Sequence, residues 1–232
     1  MTYQTSTVTQ VGLRDRTLFQ QVYAWMAGGL GVTGLVALWA YASGFIVRLL
    51  SGGSGILLAL LLVELGLVIA LGWAIGRMSV GVATGAFLLY AVLNGLTLST
   101  IFLVYTSGSI ALTFFATGGT FAAMSIYGYT TERDLTTIGS YLIMGLIGFL
   151  LASIVNFFLK STALYWIITY AGIAIFIGLT AYDTQKIKRL SETIDERDTN
   201  TFRKAVILGA LVLYLDFVNL FLLMLRVLGR RR

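Results

Sequence analysis

Apolar residues run along this chain in blocks, not at the spacing of a one-sided helix or strand. Seven blocks have the length that crosses a bilayer as helix, about 20 residues at 1.5 Å each. They fall at 20–42, 56–76, 80–105, 110–129, 138–159, 163–183 and 205–225. The connections are short and carry turn residues: Ser51-Gly52-Gly53-Ser54-Gly55, Thr106-Ser107-Gly108-Ser109 and Thr130-Thr131-Glu132-Arg133-Asp134. The sixth is longer and of mixed charge, from Thr184 to Lys204, and its start, Lys186-Ile187-Lys188-Arg189-Leu190, continues helix six beyond the membrane. The pattern predicts an all-α polytopic membrane protein with seven transmembrane helices. A polar tail covers 1–17, a single transmembrane domain 18–229 and a basic tail 230–232. The first 17 residues lack the apolar core of a signal peptide, so no cleavage is expected.

Composition sharpens this. The chain is 58% hydrophobic and 11% charged, against about 25% charged in soluble domains. With no Cys there is no thiolate nucleophile, disulfide or zinc–thiolate site. With no His, the usual metal ligand and the usual neutral-pH switch are both missing. With no Pro, a break in a helix must come from Gly or a polar side chain. The glycines at 28, 29, 31 and 34 place small residues on helix one, which predicts close helix packing there.

The net charge of +6 lies in loops and at the tail, and reads as membrane orientation, not nucleic-acid binding. Arg14, Arg16, Arg77, Arg133, Lys186, Lys188, Arg189, Arg197, Arg203 and Lys204 fall on the amino-terminal side; the opposite loops hold Arg48 and Lys160. The amino terminus is therefore expected in the cytoplasm. Arg226, Arg230, Arg231 and Arg232 then break the rule if helix seven crosses, and obey it if that segment dips in and returns. Its length favours a crossing, with an outward carboxyl terminus.

The chemistry is in carboxylates. Asp216 interrupts the last block, with Asn219 three residues on and so on the same helix face. A charge at mid-bilayer costs a few kcal/mol even on the most lenient insertion scale, so Asp216 marks a protein-facing or water-lined site. Asp183 closes the block before. Two facing carboxylates cannot both ionise cheaply, so such a pair shares a proton and titrates as a unit. It can also bind a hard cation such as Ca²⁺ through oxygen. Glu64 sits inside helix two, protonated, pore-lining or paired with a cation, for which Arg226 is the candidate on that side. Arg77 ends helix two on the side where Asp183 lies; it reads as an orientation charge or a counter-charge for ionised aspartate. Asn94 and Thr97 make a polar patch on helix three, read as packing.

Tyr182-Asp183-Thr184-Gln185-Lys186-Ile187 and Leu215-Asp216-Phe217-Val218-Asn219-Leu220-Phe221 resemble the two signatures of the Bax inhibitor-1 family. Asn94-Gly95-Leu96-Thr97-Leu98-Ser99 also matches, and Met124-Ser125-Ile126-Tyr127-Gly128-Tyr129-Thr130-Thr131 is similar to the bacterial branch. The likeness covers nearly the whole chain. It implies seven helices with the last in the centre, and a pH-sensitive Ca²⁺ leak gated by a proton-sharing pair, here Asp183 and Asp216. It implies an arginine on helix two against that pair; Arg77 lies about two residues beyond that position. Some bacterial relatives are linked instead to modulating a membrane-bound quality-control protease, which makes such a protease a candidate partner beside Ca²⁺, protons and lipid. Animal members are known for suppressing cell death. No cofactor is implied.

Two difficulties accompany this reading. On the drawn boundaries Asp183 ends helix six while Asp216 lies roughly 16 Å into helix seven, so the pair meets only if one helix shifts or tilts. An intramembrane aspartyl protease would also place Tyr-Asp on one helix and Asp on the next. Its Gly-x-Gly-Asp motif is absent, since Leu213-Tyr214-Leu215-Asp216 stands there, and so is its Pro-containing motif. A non-enzymatic role is expected.

Overall fold

The computed structural model describes residues 3–194 and 198–232. The side chains of residues 3–17 and of Ser54 lie outside the description, and with them Arg14, Arg16 and most of the 1–17 tail; Arg197 lies outside it entirely. The described residues form α1 (Tyr3–Ala42), α2 (Phe45–Ser51), α3 (Ser54–Ala74), α4 (Val80–Leu98), α5 (Ile101–Val104), α6 (Ser107–Thr130), α7 (Thr136–Leu159), α8 (Thr162–Thr193) and α9 (Thr199–Leu228). Seven spans are long and apolar enough to cross a membrane: 18–42, 55–74, 80–104, 107–130, 136–159, 162–193 and 199–228. The chain is an all-α polytopic membrane protein. The last span is the most buried, with 72% of its apolar window buried against 39% or less in the others.

Local chemistry explains where the helices stop. The third block is interrupted because Ser99 Oγ donates to Leu96 O at 2.5 Å and Thr100 Oγ1 to Thr97 O at 2.8 Å. Hydroxyls that bond their own preceding carbonyls compete with the helix ladder. Before α9, Asp198 Oδ1 accepts from Thr201 N at 3.1 Å and Oδ2 from the Thr201 hydroxyl at 2.5 Å, an N-cap that starts the helix before its apolar residues begin. Those Thr201 bonds hold the Asp198 carboxyl below its usual range. Before α7, Asp134 Oδ1 accepts from Thr136 N at 2.8 Å and from Arg189 Nη2 at 2.7 Å. The Thr136 hydroxyl and N–H, then Arg189, hold this carboxyl well below the ordinary range.

Contacts divide the chain into two units: residues 1–105, 190–214 and 232, and residues 106–189 and 215–231. In the first, α1 and α4 approach closely at Gly95, where a Cβ would come within 2.7 Å of Thr33 O. Phe87 stacks edge-on against Tyr214, centroids 5.9 Å apart, and fills the space opposite Gly29. The glycine packing expected on helix one holds only there: Gly28, Gly31 and Gly34 face open space. Lys204 Nζ donates to Gly76 O at 2.9 Å.

The second unit has a core of Phe176, Leu179, Leu220 and Leu223, covered by Leu142, Leu146 and Phe149. Phe217 packs between Phe114 and Phe121, at 5.3 and 5.5 Å. The apolar window of α7 is unburied, and Ile147, Leu151 and Phe158 are among the side chains it leaves for lipid. At Gly128 the backbone of α6 lies directly against the Ala181 peptide of α8.

A Cβ at Gly128 meets backbone, which cannot rotate away. Gly128→Ala should therefore lower the thermal unfolding midpoint in detergent by several degrees. Gly148→Ala, where nothing lies within 4 Å, should hold or raise it, since Ala is favoured over Gly in a helix by about 1 kcal/mol. Equal effects would remove the α6–α8 contact as the cause.

Candidate functional site

Two polar assemblies sit inside the spans, one in each unit. In the second unit Asp183 of α8 and Asp216 of α9 bring their side chains close enough to act on one another. A hydrogen bond between two carboxyl groups needs a proton on one of them, so such a pair can share one. Asp216 is buried at 5% exposure, and its Oδ2 has no hydrogen-bond partner. Asp183 is half-buried, and Lys186, three residues on, acts on it electrostatically.

The depth mismatch narrows because Asp183 is not terminal, although α9 also begins earlier than drawn, at Thr199, and so sets Asp216 further in. Helix α8 runs ten residues further, to Thr193, roughly 15 Å at the helical rise. The rest of the Tyr182–Arg189 stretch is fastened to the α6–α7 loop. Gln185 accepts from Leu135 N at 2.9 Å and donates to Arg133 O at 2.8 Å. Lys188 Nζ donates to Tyr129 O at 2.9 Å, and the Tyr182 ring lies on Gly139. The sequence reading missed Gln185; its signal was a polar residue two positions after Asp183, inside what proves to be continuous helix. Two hydroxyl oxygens of α6, Thr113 Oγ1 and Ser125 Oγ, are also buried without a partner. Ser125 lies between Phe121, which packs on Phe217, and Gly128, which packs on Ala181, so its helix face is the one turned to the aspartate helices.

The other predicted site residues lie elsewhere. Asn219 is half-buried, and its amide donates to Leu215 O at 2.8 Å, closing on its own helix. Arg77 belongs to the first unit, is exposed and lies over the Trp73 ring at 6.0 Å. Arg226 is exposed in the second unit, 5.3 Å above the Tyr165 ring.

Glu64, in the first unit, is held by neutral donors. Thr97 Oγ1 donates to Oε1 at 2.5 Å and Asn94 Nδ2 to Oε2 at 3.4 Å. Asn94 also donates to the Tyr90 hydroxyl at 3.4 Å. Tyr214 has one hydroxyl proton and two acceptors, Thr33 Oγ1 at 2.6 Å and Asn94 Oδ1 at 3.3 Å; Thr33 in turn donates to Ala91 O at 2.9 Å. Helix three's Asn94–Thr97 patch is thus the docking partner of the Glu64 carboxyl. Two polar residues three apart, facing a carboxylate in the preceding helix, were the available signal.

These features define a helical membrane protein with paired intramembrane carboxyl groups. A family model described as inhibitor of apoptosis-promoting Bax1 matches residues 15–232. The inner membrane protein YbhL of Escherichia coli is 55% identical over 217 residues, covering 94% of this chain and 93% of that protein. A protein of Borreliella burgdorferi is 45% identical over 91% of each chain, and one of Rickettsia prowazekii 43% identical over 95% of this chain and 92% of its own. The chain belongs to the Bax inhibitor-1 family.

Thr97→Val strips a buried carboxyl oxygen of its donor and should cost about 1–3 kcal/mol of stability. Adding Glu64→Leu should return most of that loss, because no unsatisfied group remains. Thermal unfolding of the two single variants and the double variant gives the coupling; strictly additive losses would mean that the Thr97–Glu64 bond carries nothing.

Proposed function

We propose that this protein is a pH-sensitive calcium leak channel of the bacterial inner membrane, gated by protonation of Asp183 and Asp216. The observation that carries this reading is that α8 and α9 bring two carboxyl groups together within membrane-spanning helices, one of them buried with an unpartnered oxygen. Losing the shared proton places two negative charges side by side in a poorly solvated site, which drives the side chains apart and creates affinity for a divalent cation. Taking a proton up reverses both changes. The unpartnered Asp216 Oδ2 and Ser125 Oγ supply further oxygen in the same unit. Among the described residues no group of three or more Asp, Glu, His or Cys gathers to hold a metal. Ca²⁺ typically takes six to eight oxygen ligands, so two carboxylates suit a passing ion better than a resident one. The distribution of Lys and Arg supports a cytoplasmic amino terminus, and the name of the YbhL relative supports an inner-membrane location.

The loop carboxylates are poor sensors by comparison. Hydrogen bonds from Thr136 and Thr201 hold Asp134 and Asp198 low. What their ionised forms contribute is complete above the ordinary carboxylate range and is lost only in strong acid, as pH falls through the lowered values. The chain has no His, and the intramembrane carboxyl pair is the candidate sensor to test.

In proteoliposomes, Ca²⁺ flux should change between about pH 6 and 8. Asp183→Asn and Asp216→Asn should each flatten the profile, and the double variant should add little, as expected of one coupled unit. Asp216→Leu should fold and lose the response. Wild-type profiles in both single Asn variants would exclude the pair as sensor and leave Glu64 as the carboxyl to test. Apparent Ca²⁺ affinity should weaken as pH falls, because protons compete for the same oxygens.

A further inference from the structure

The cations at the end of α9 take no part in the carboxyl pair, and on the expected orientation they contradict the charge rule for loops. The structure gathers two of them with a lysine. Arg226, Arg231 and Lys160 line one cavity of about 510 Å³, walled by Tyr165 and Trp166, with no Asp or Glu in its lining. A volume of roughly 300–1,000 Å³ is typical of small-molecule sites. The cavity lies within the second unit where α7 ends, α8 begins and α9 ends, which is the boundary of the spans.

The Arg226 side chain rests on a ring, and the backbone beside the other two cations is fixed. Lys160 caps α7 at φ 51°, and among the described residues it is the non-glycine residue in the left-handed region. Its N–H donates to Asn156 O at 2.8 Å, and the Asn156 side chain accepts from Ser161 N at 3.0 Å. The Arg226 guanidinium rests 5.3 Å over the Tyr165 ring. The segment carrying Arg231 is tied back at Arg230 O, which accepts from Thr106 N at 3.0 Å and from Ser109 Oγ at 3.4 Å. Three positive charges around one cavity, with no carboxylate among them, favour an anion there. Guanidinium forks match phosphate oxygens in pairs, and a lysine adds a point charge. Trp and Tyr are enriched at headgroup level, and Phe158, 75% exposed, lies on the last turn of α7 two residues before Lys160, where acyl chain would run.

We propose that this cavity binds a phosphate group at the membrane surface, carried by a phospholipid headgroup or present as the free ion. The test uses the purified full-length protein in neutral detergent with three probes: dihexanoyl-phosphatidylglycerol, inorganic phosphate and dihexanoylglycerol, which has the tails without the phosphate. Binding is read from the thermal unfolding midpoint and from tryptophan fluorescence. Phosphatidylglycerol should bind, and Arg226→Gln with Arg231→Gln should weaken it about tenfold or more, the scale of lost charge-assisted hydrogen bonds. Saturation by inorganic phosphate alone would assign the free ion; binding of phosphatidylglycerol that phosphate does not displace would assign the lipid. Lys160→Gln, a change at an exposed turn, provides a second variant should the arginine pair fail to fold, and should weaken binding in the same direction. The proposal fails if neither phosphate probe binds, if dihexanoylglycerol binds as well as phosphatidylglycerol, or if the substitutions leave affinity unchanged.

Discussion

A carboxyl group inside hydrocarbon must keep its proton, find donors or face a countercharge, and the polar interior of this protein is organised by that requirement. An unsatisfied charge there costs far more than any one helix contact returns. The chain meets the requirement in two ways. Glu64 is supplied with neutral donors from the next helix, Thr97 and Asn94, and Asn94 is itself braced by Tyr90 and Tyr214. Asp183 and Asp216 lie close enough to act on one another. The first arrangement is a lattice in which a carboxyl oxygen has a fixed donor. The second is a carboxyl pair with an unpartnered oxygen at Asp216 Oδ2. That difference sets the aspartate pair apart from the Glu64 cluster.

The Tyr182–Arg189 stretch combines architecture and chemistry in two turns of helix. Tyr182 settles on Gly139, Gln185 and Arg189 grip the loop between α6 and α7, and Asp183 reaches Asp216. The residues that hold the loop fix the rotation of α8 about its own axis, and so fix where Asp183 points. A short, dense signature in the sequence is what such a shared duty produces.

Hydropathy made the seven spans legible to within a few residues, because length and apolarity are properties of one segment at a time. It drew the sixth and seventh spans too short. The outer turns of α8 are polar, and α9 is started by a cap at Asp198, which no measure of apolarity registers. Asp216 stood out by its cost, and Asp183 by its motif. The donors of Glu64 did not stand out, since Thr97 and Asn94 are ordinary helix residues until a neighbouring helix is placed beside them. The glycines of helix one misled for the same reason: spacing gives a face, not what faces it. Gly29 meets Phe87, while Gly28, Gly31 and Gly34 meet nothing.

The carboxyl-terminal residues are woven into the fold. Arg230 O is bound by Thr106 N, and within the first unit the Arg232 amide donates to Val104 O at 3.0 Å while its guanidinium donates to the Tyr41 hydroxyl at 2.8 Å. A segment held by main-chain bonds at Arg230 and Arg232 is a poor place to splice anything. An affinity handle or reporter attached beyond Arg232 would load these bonds, so it needs a flexible spacer before it reports on an undisturbed molecule.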